Sequence, residues 1–344
     1  MKSNFRYVIR EARPGDLGAI EELSGLLDTM NLPRDTVLLR RLLEKSQRSF
    51  RREIGDSDEG EYVFVLEDRR RGAVIGTSLI IARHGTVGVP HFFMEMETEA
   101  RHSDVPPRDF QHRILKLGYT TDGPTEVGGL ILHPDYRRAP EGLGMQISYV
   151  RFNFISRHPE RFQKEVLAEL LSPLDEQGKN LFWEVYGRKF TGLDYREADR
   201  LSITDKRFIL SLFPQSPLYL TMFPEKIQRL LGEVAPGARG ARRLLEKIGL
   251  LPLNQVDPFD GGPYFGAPMR DVTLIRKTVI RPLRPVVPEM ESASPALLSF
   301  ESDAGFRALC APALLDDAFV AVAPQACRAL DAPEGAMITV TPIP

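Results

Sequence analysis

The sequence predicts an α+β fold: a mixed, mostly antiparallel sheet flanked by helices, arranged as two related lobes with a small C-terminal β unit. Three observations predict it. Residues 62–66 and 73–81 are two apolar runs joined by a charged turn at 69–72, a hairpin pattern. A strand-like run at 126–132 leads into a turn carrying Arg137, Arg138, Gly142 and Gly144, and then into an apolar-periodic stretch ending near residue 157. That is the order strand, glycine loop, helix. A helix, glycine, strand-entry pattern occurs twice, at 181–190 and 243–250, with each glycine expected at a helix C-terminus. This pair suggests the two lobes, although helix-glycine-strand is also a common local pattern.

The elements follow in order. Residues 7–10 are a short strand-like run. Pro14 and Asp16 mark a helix start ahead of Leu17, Ile20, Leu23, Leu26 and Leu27, which share one helical face. A second amphipathic stretch carries Val37, Leu38, Leu42 and Leu43. Its arginines 40, 41, 48, 51 and 52 read either as a solvated face or as phosphate contacts. Residues 84–118 show no pattern that places them. Gly128 and Gly129 sit inside the strand at 125–132, which points to a bulge or to a close approach to the backbone. A strand at 166–170 and a helix at 181–186 follow. Prolines 282, 285, 288 and 295 mark a linker or an extended edge. The tail reads strand 319–322, helix 324–330, turn 333–335, strand 337–341. The expected domains are 1–205, a lobe with the glycine loop; 206–282, a second, partial lobe; and 283–344, a Pro-rich linker and small β unit.

Composition narrows the function. The chain has 344 residues, 42% hydrophobic and 27% charged, with 45 basic and 47 acidic side chains. That is ordinary globular material for about two domains. A net charge of −2 provides no basic field for nucleic acid or an acidic membrane. Two cysteines, Cys310 and Cys327, rule out a disulfide scaffold and a cysteine-rich metal site. No apolar leader and no run of about 18 apolar residues is present. A soluble cytoplasmic protein is expected, with no metal ligand set, no nucleic acid partner and no membrane partner.

The chemistry concentrates at 126–157. A helix N-terminus exposes unpaired N–H groups, glycines let an anion approach them, and flanking arginines add charge. Such a site suits a pyrophosphate; a tight turn without a ligand is the alternative. The glycines follow the fourth strand rather than the first, which argues against a dinucleotide-binding fold. There is no Walker loop and no His-Glu-x-x-His.

At these residues the sequence resembles the Gcn5-related N-acetyltransferase superfamily, and within it the arginine N-succinyltransferase family with its arginine/ornithine succinyltransferase subunits. The resemblance rests on Tyr62-Val63-Phe64-Val65-Leu66-Glu67-Asp68, on 125–130, on Lys164-Glu165-Val166-Leu167-Ala168-Glu169, on Gly187-Arg188-Lys189-Phe190 with Leu193-Asp194-Tyr195, and on Gly232-Glu233-Val234. It extends to Leu244-Leu245-Glu246-Lys247-Ile248-Gly249 and to Phe259-Asp260-Gly261-Gly262-Pro263. It covers about 6–282, and the tail more loosely.

The resemblance implies transfer of a succinyl group from succinyl-CoA, a co-substrate rather than a permanently bound cofactor, to the α-amine of arginine or ornithine. It also implies a homo- or hetero-oligomer with a related subunit. Acyl-CoA is expected at Leu130, Leu132, Arg137, Arg138, Gly142 and Gly144. The loop at 137–144 is about two residues longer than the superfamily's usual one and contains Pro140. The family's proposed catalytic histidine, a proton donor before a proline, corresponds to Ala235 before Pro236; two further histidines correspond to Ser216 and Thr221. None of the six histidines (84, 91, 102, 112, 133, 158) stands at these positions. His133, nearest the glycine loop, reads as a surface or capping residue. The remaining catalytic candidates are Tyr219, a proton donor or a packing tyrosine; Glu233, a base through water or an exposed carboxylate; and Glu126, which either orients the acceptor amine or bonds loop N–H groups. Two alternatives to a succinyltransferase stay open: a diverged non-catalytic or regulatory subunit, including a sensor that binds without turnover, and an acyltransferase with another amine acceptor.

Overall fold

The computed structural model describes residues 5–26, 32, 35–54, 60–286 and 293–343. Its strands are β1 (Tyr7–Glu11), β2 (Glu61–Asp68), β3 (Ala73–Ile81), β4 (His91–Asp104), β5 (Pro107–Thr120), β6 (Thr125–Leu132), β7 (Glu165–Glu169), β8 (Leu218–Tyr219), β9 (Leu251–Val256), β10 (Pro263–Pro268), β11 (Val279–Pro285), β12 (Ser294–Ser302), β13 (Gly305–Leu315), β14 (Val320–Val322) and β15 (Met337–Pro342). The three longer N-terminal-half helices are α1 (Leu17–Gly25), α2 (Thr36–Phe50) and α3 (Leu143–Arg157). Further helices lie within 181–247, 273–277 and 324–330. The α+β class and the antiparallel bias hold: of the strand pairs described below, only β11 with β14 is parallel.

The chain divides into two compact units. The first comprises 1–82, 125–164 and 268–344; the second comprises 83–124 and 165–267. The boundaries expected at 205 and 282 are not where it divides, because strands far apart in sequence complete the same sheet. The proposed repeat also fails locally. Gly187 opens a second short helix, Gly187–Thr191, and a Cβ there would fall 2.1 Å from the Trp183 ring. It is a packing glycine, not a helix stop. Gly249 does take the left-handed conformation after the helix Arg239–Lys247, with φ +99°, as expected of a C′ residue.

In the first unit the strand order is β12, β15, β11, β14, β13, β1, β2, β3, β6. β2 and β3 form the expected hairpin, and β3 pairs antiparallel with β6. β12 also pairs with β13, so five C-terminal strands close on themselves around Leu283, Leu298, Leu309, Val320, Ile338 and Val340. Closure leaves no free edge within that ring. The ring begins at Val279 rather than after a linker, and Pro282 pairs with Met337 inside it. Pro288 lies outside the described residues, as does Leu27.

Asp35 starts α2 by accepting the N–H groups of Val37 and Leu38 at 2.8 and 3.1 Å. Leu39 and Leu43 then face the core, while arginines 40, 41, 48, 51 and 52 are exposed. α3 is buried on nearly every face, which suits an element covered all round. Its Phe154 meets Phe50, Phe64 and Phe306 at centroid distances of 5.2, 5.5 and 5.4 Å.

In the second unit β10 pairs with β9, β9 with β4, β4 with β5, and β5 with β8, all antiparallel. β4 and β5 form a hairpin of 14 residues per strand, across the stretch that showed no pattern in sequence. The Phe259–Pro263 motif folds as a tight turn. Gly261 has φ +74°, and a Cβ on Gly262 would lie 2.2 Å from the Leu170 carbonyl oxygen. Both glycines are therefore required by the backbone. Phe259 stacks on Trp183 at 5.2 Å with rings 2° from parallel.

Candidate functional site

β6, the loop after it and the start of α3 make one continuous site in the first unit. The register against β3 runs Thr77 to Ile131 and Leu79 to Gly128, so β6 has an extra residue and Gly129 and Leu130 are skipped. This is the bulge the glycine pair predicted. Gly129 has φ +56°, and a Cβ on it would meet Leu79 at 2.7 Å, so glycine is needed there for conformation and for space. Leu130 is half-buried and Leu132 buried.

A residue the sequence reading missed holds the bulge. Arg151, in the middle of α3, is fully buried. Its Nη1 donates to the Gly128 carbonyl at 3.1 Å, its Nε to the Ser148 carbonyl at 2.9 Å, and its Nη2 to Ser148 Oγ at 2.9 Å. Burial pulls its pKa down to about 9, and the charge of Glu126 pulls it back up; the guanidinium stays charged at neutral pH. Glu126 is itself buried. Its carboxylate balances Arg151 rather than reaching into solvent.

The loop is fastened from several sides. His133 caps a short 3-10 turn, its Nδ1 accepting the Asp135 N–H at 3.3 Å, as its capping reading predicted. Tyr136 Oη donates to Asp68 at 3.1 Å, and Asp68 also receives a two-toothed ion pair from Arg6. Those partners hold the Asp68 carboxyl down at about 2. Arg137 Nε donates to the Leu132 carbonyl at 3.1 Å, tying loop to strand end, and Arg138 is exposed. Gly142 is the N-cap of α3, with φ +66° and no capping side chain. The first-turn N–H groups of Leu143 and Gly144 have no partner within the helix. A Cβ on Gly144 would meet nothing closer than Leu132 Cδ2 at 3.8 Å. The site thus offers backbone donors and the positive end of a long helix beside open space.

The other predicted residues lie in the second unit and in separate surroundings. Tyr219 Oη donates to Glu99 at 2.6 Å and accepts from Arg101 at 3.2 Å. It is half-buried and polar-bonded, not a packing tyrosine. Glu233 is exposed. Ala235 is half-buried, and its N–H donates to the Leu171 carbonyl at 2.8 Å. Its φ of −52° and ψ of 144° suit any residue type. Ser172 bonds Asp260 through its N–H at 3.1 Å, and burial followed by the neighbouring Asp257 raises the Asp260 pKa. His84, His91 and Glu169 converge in this unit, although no ligand set was expected from sequence.

Comparison with known proteins places this geometry. The family described as Arginine N-succinyltransferase beta subunit matches residues 7–274. The chain belongs to the arginine N-succinyltransferase family. The match takes in the bulge, the glycine loop and the Phe259–Pro263 turn, and stops before β11. An arginine N-succinyltransferase of Citrobacter koseri is 34% identical over 79% of this chain and 78% of its own length. One of Yersinia enterocolitica is 30% identical over 96% of both. The solved arginine/ornithine succinyltransferase subunit AI of Pseudomonas aeruginosa superposes with a TM-score of 0.85 at 27% identity, covering 98% of each chain. As an arginine N-succinyltransferase family member with this fold, the chain is an acyl-CoA-dependent N-acyltransferase. No helix among the described residues is long and apolar enough to cross a membrane.

Proposed function

We propose that the protein moves a succinyl group from succinyl-CoA to the α-amine of arginine, with ornithine as a related acceptor. The observation that carries this reading is the bulge at Gly128–Leu130 followed, after the tied-down loop 133–141, by the uncapped, glycine-lined N-terminus of α3. A thioester carbonyl set against the backbone of Leu130 is polarised by donors aimed at the oxygen where charge develops. A pyrophosphate set against Gly142–Gly144 meets N–H groups and the helix dipole. The neutral amine attacks the carbonyl carbon, the N–C bond forms, the C–S bond breaks, and the electron pair leaves on sulfur. A free thiol has a pKa near 8.5, so the thiolate departs without obligatory help. The amine's proton goes to water.

Ala235 favours a second reading, a subunit that binds acyl-CoA but contributes little chemistry, partnered with a related active chain. One assay separates the two: release of free CoA from succinyl-CoA, with arginine or ornithine, by the chain alone. Turnover by the isolated chain supports the enzyme. Binding without turnover, restored by a related subunit, supports the partner reading. Sedimentation of the purified chain tests the proposed oligomer, and fractionation of cells tests its proposed cytoplasmic location.

A further inference from the structure

We propose that His84, His91 and Glu169 form a binding site for one first-row divalent metal ion, with zinc the best fit. Two imidazoles and one carboxylate are a donor set that suits zinc, and three protein ligands leave a fourth position for water. The donor atoms lie within 4.8 Å of one another. His84 Nε2 is 3.6 Å and His91 Nδ1 is 3.9 Å from Glu169 Oε1. Zinc–ligand bonds of about 2.1 Å give a tetrahedral edge of about 3.4 Å. The observed gaps are longer than hydrogen bonds and close to that edge, so a small inward shift would place all three around one ion.

The backbone is built to bring these side chains together. Gly85 has φ +99°, and a Cβ on it would lie 2.7 Å from His91 Cβ and 2.9 Å from the Thr120 carbonyl oxygen. A Cβ on Gly123 would lie 1.8 Å from the His84 carbonyl oxygen. The His84 N–H donates to the Pro124 carbonyl at 2.8 Å. Two glycines are therefore required to press the His84 turn onto the start of β4. The buried His91 ring faces Tyr264 at 5.3 Å, and Tyr264 Oη is fixed to the Phe92 carbonyl at 3.1 Å. Ring orientation is thus set by neighbours, as metal-binding imidazoles require. The side chains of His84 and Glu169 are 18% and 21% exposed, which provides an entry path. Lys206 adds a positive charge near His91, so a modest affinity is expected. A bound ion would clamp the 83–90 turn, β4 and β7 into one body.

The test uses the full chain, stripped with chelator and desalted. His102 lies between Asp104 at 3.1 Å and Asp109 at 2.7 Å on the exposed hairpin and is a rival chelate, so His102→Ala is the background. Zinc chloride is titrated by calorimetry and cobalt chloride by visible absorbance. The expected result is one equivalent bound, tetrahedral cobalt bands, and a zinc-dependent rise in Tm. Affinity should fall at least tenfold in both His84→Gln and Glu169→Gln, with circular dichroism checking that each folds. Absence of binding in His102→Ala, or binding unchanged in the two variants, would overturn the site. None of these readouts depends on acyl transfer.

Discussion

Arg151 Nη1 donates to the carbonyl of Gly128 across 3.1 Å, from the middle of α3 to the bulge of β6. The bulge proposed to meet the thioester is therefore held by a buried cation, and that cation is balanced by Glu126. Lysine cannot reproduce the fork that reaches Gly128 and Ser148 together. Arg151→Lys and Arg151→Met should lower kcat by about tenfold or more while changing acyl-CoA affinity less. Without the Arg151 cation the buried Glu126 charge is left uncompensated, a loss that typically costs about 3–5 kcal/mol. Adding Glu126→Gln to Arg151→Met should recover part of that loss, measured by urea unfolding as a double-mutant cycle. Additive effects would show that the two side chains are not coupled.

Gly144 and Gly142 should separate ligand effects from folding effects. Space around Gly144 is open on the protein side. Gly144→Val should keep its Tm yet bind acyl-CoA at least tenfold more weakly. Gly142 is left-handed, so Gly142→Ala should lose about 1–2 kcal/mol of stability as well as affinity. Calorimetry with CoA and a thermal melt on each variant check this. Unchanged affinity in both would remove the loop from the binding site.

Ala235 sets the expected pH profile of turnover. An α-amine with pKa near 8 is mostly protonated at pH 7, and a positioned acid or base typically contributes about 10²–10⁴ in rate. Wild-type kcat should be low at pH 7 and climb toward pH 9. Ala235→His should raise kcat at neutral pH and flatten the climb, since the backbone there accepts any side chain. Fast, pH-independent turnover by the wild type would mean that another group already serves.

A second pH effect concerns stability. Burial, and then the Asp257 charge, raise the pKa of Asp260; the same causes bring Asp199 up to about 7. A carboxyl with a raised folded-state pKa binds more protons folded than unfolded. Its contribution is complete below the ordinary carboxylate range and is lost as pH rises through the folded pKa. Lys206 and Tyr264 face Asp257 and moderate the effect. Tm should fall between pH 5 and 8, and Asp260→Asn should fall less steeply. Asparagine keeps an oxygen for the Gly262 N–H, which Asp260 accepts at 2.6 Å. Parallel slopes for the two proteins would exclude Asp260 as the cause.

The elements legible in sequence were those whose burial imposes a period. The 61–81 hairpin, the strand and helix at 125–157 and the tail helix at 324–330 each bury one face or all faces, and their apolar spacing says so. The β4–β5 hairpin was missed because half of its residues are exposed and few are buried. The alternation of Met94 and Met96 with Glu95, Glu97 and Glu99 was nevertheless there to mark it. The glycines of the candidate site were readable because a bulge and a helix start need them. Arg151 was readable only as an oddity, a charge inside the run Val150–Ile155 of a helix with no polar face. His84, His91 and Glu169 carry no common spacing, and only the folded backbone joins them. Gly187 misled because a glycine under an indole ring and a glycine ending a helix look alike in one dimension.

The pairing of β1 has a consequence for how the protein is made. β1 lies between β2 and β13, with Ile9 opposite Ala308 and Glu11 accepting the Phe306 N–H at 3.2 Å. A nascent chain that has not yet reached residue 305 has β1 and β2 in hand but an open hydrogen-bonding edge beside them, and open edges recruit wrong partners. β1 waits for a strand about 300 residues further along the chain. Trimming β13 from the ring would thus expose the hydrogen-bonding edge of β1.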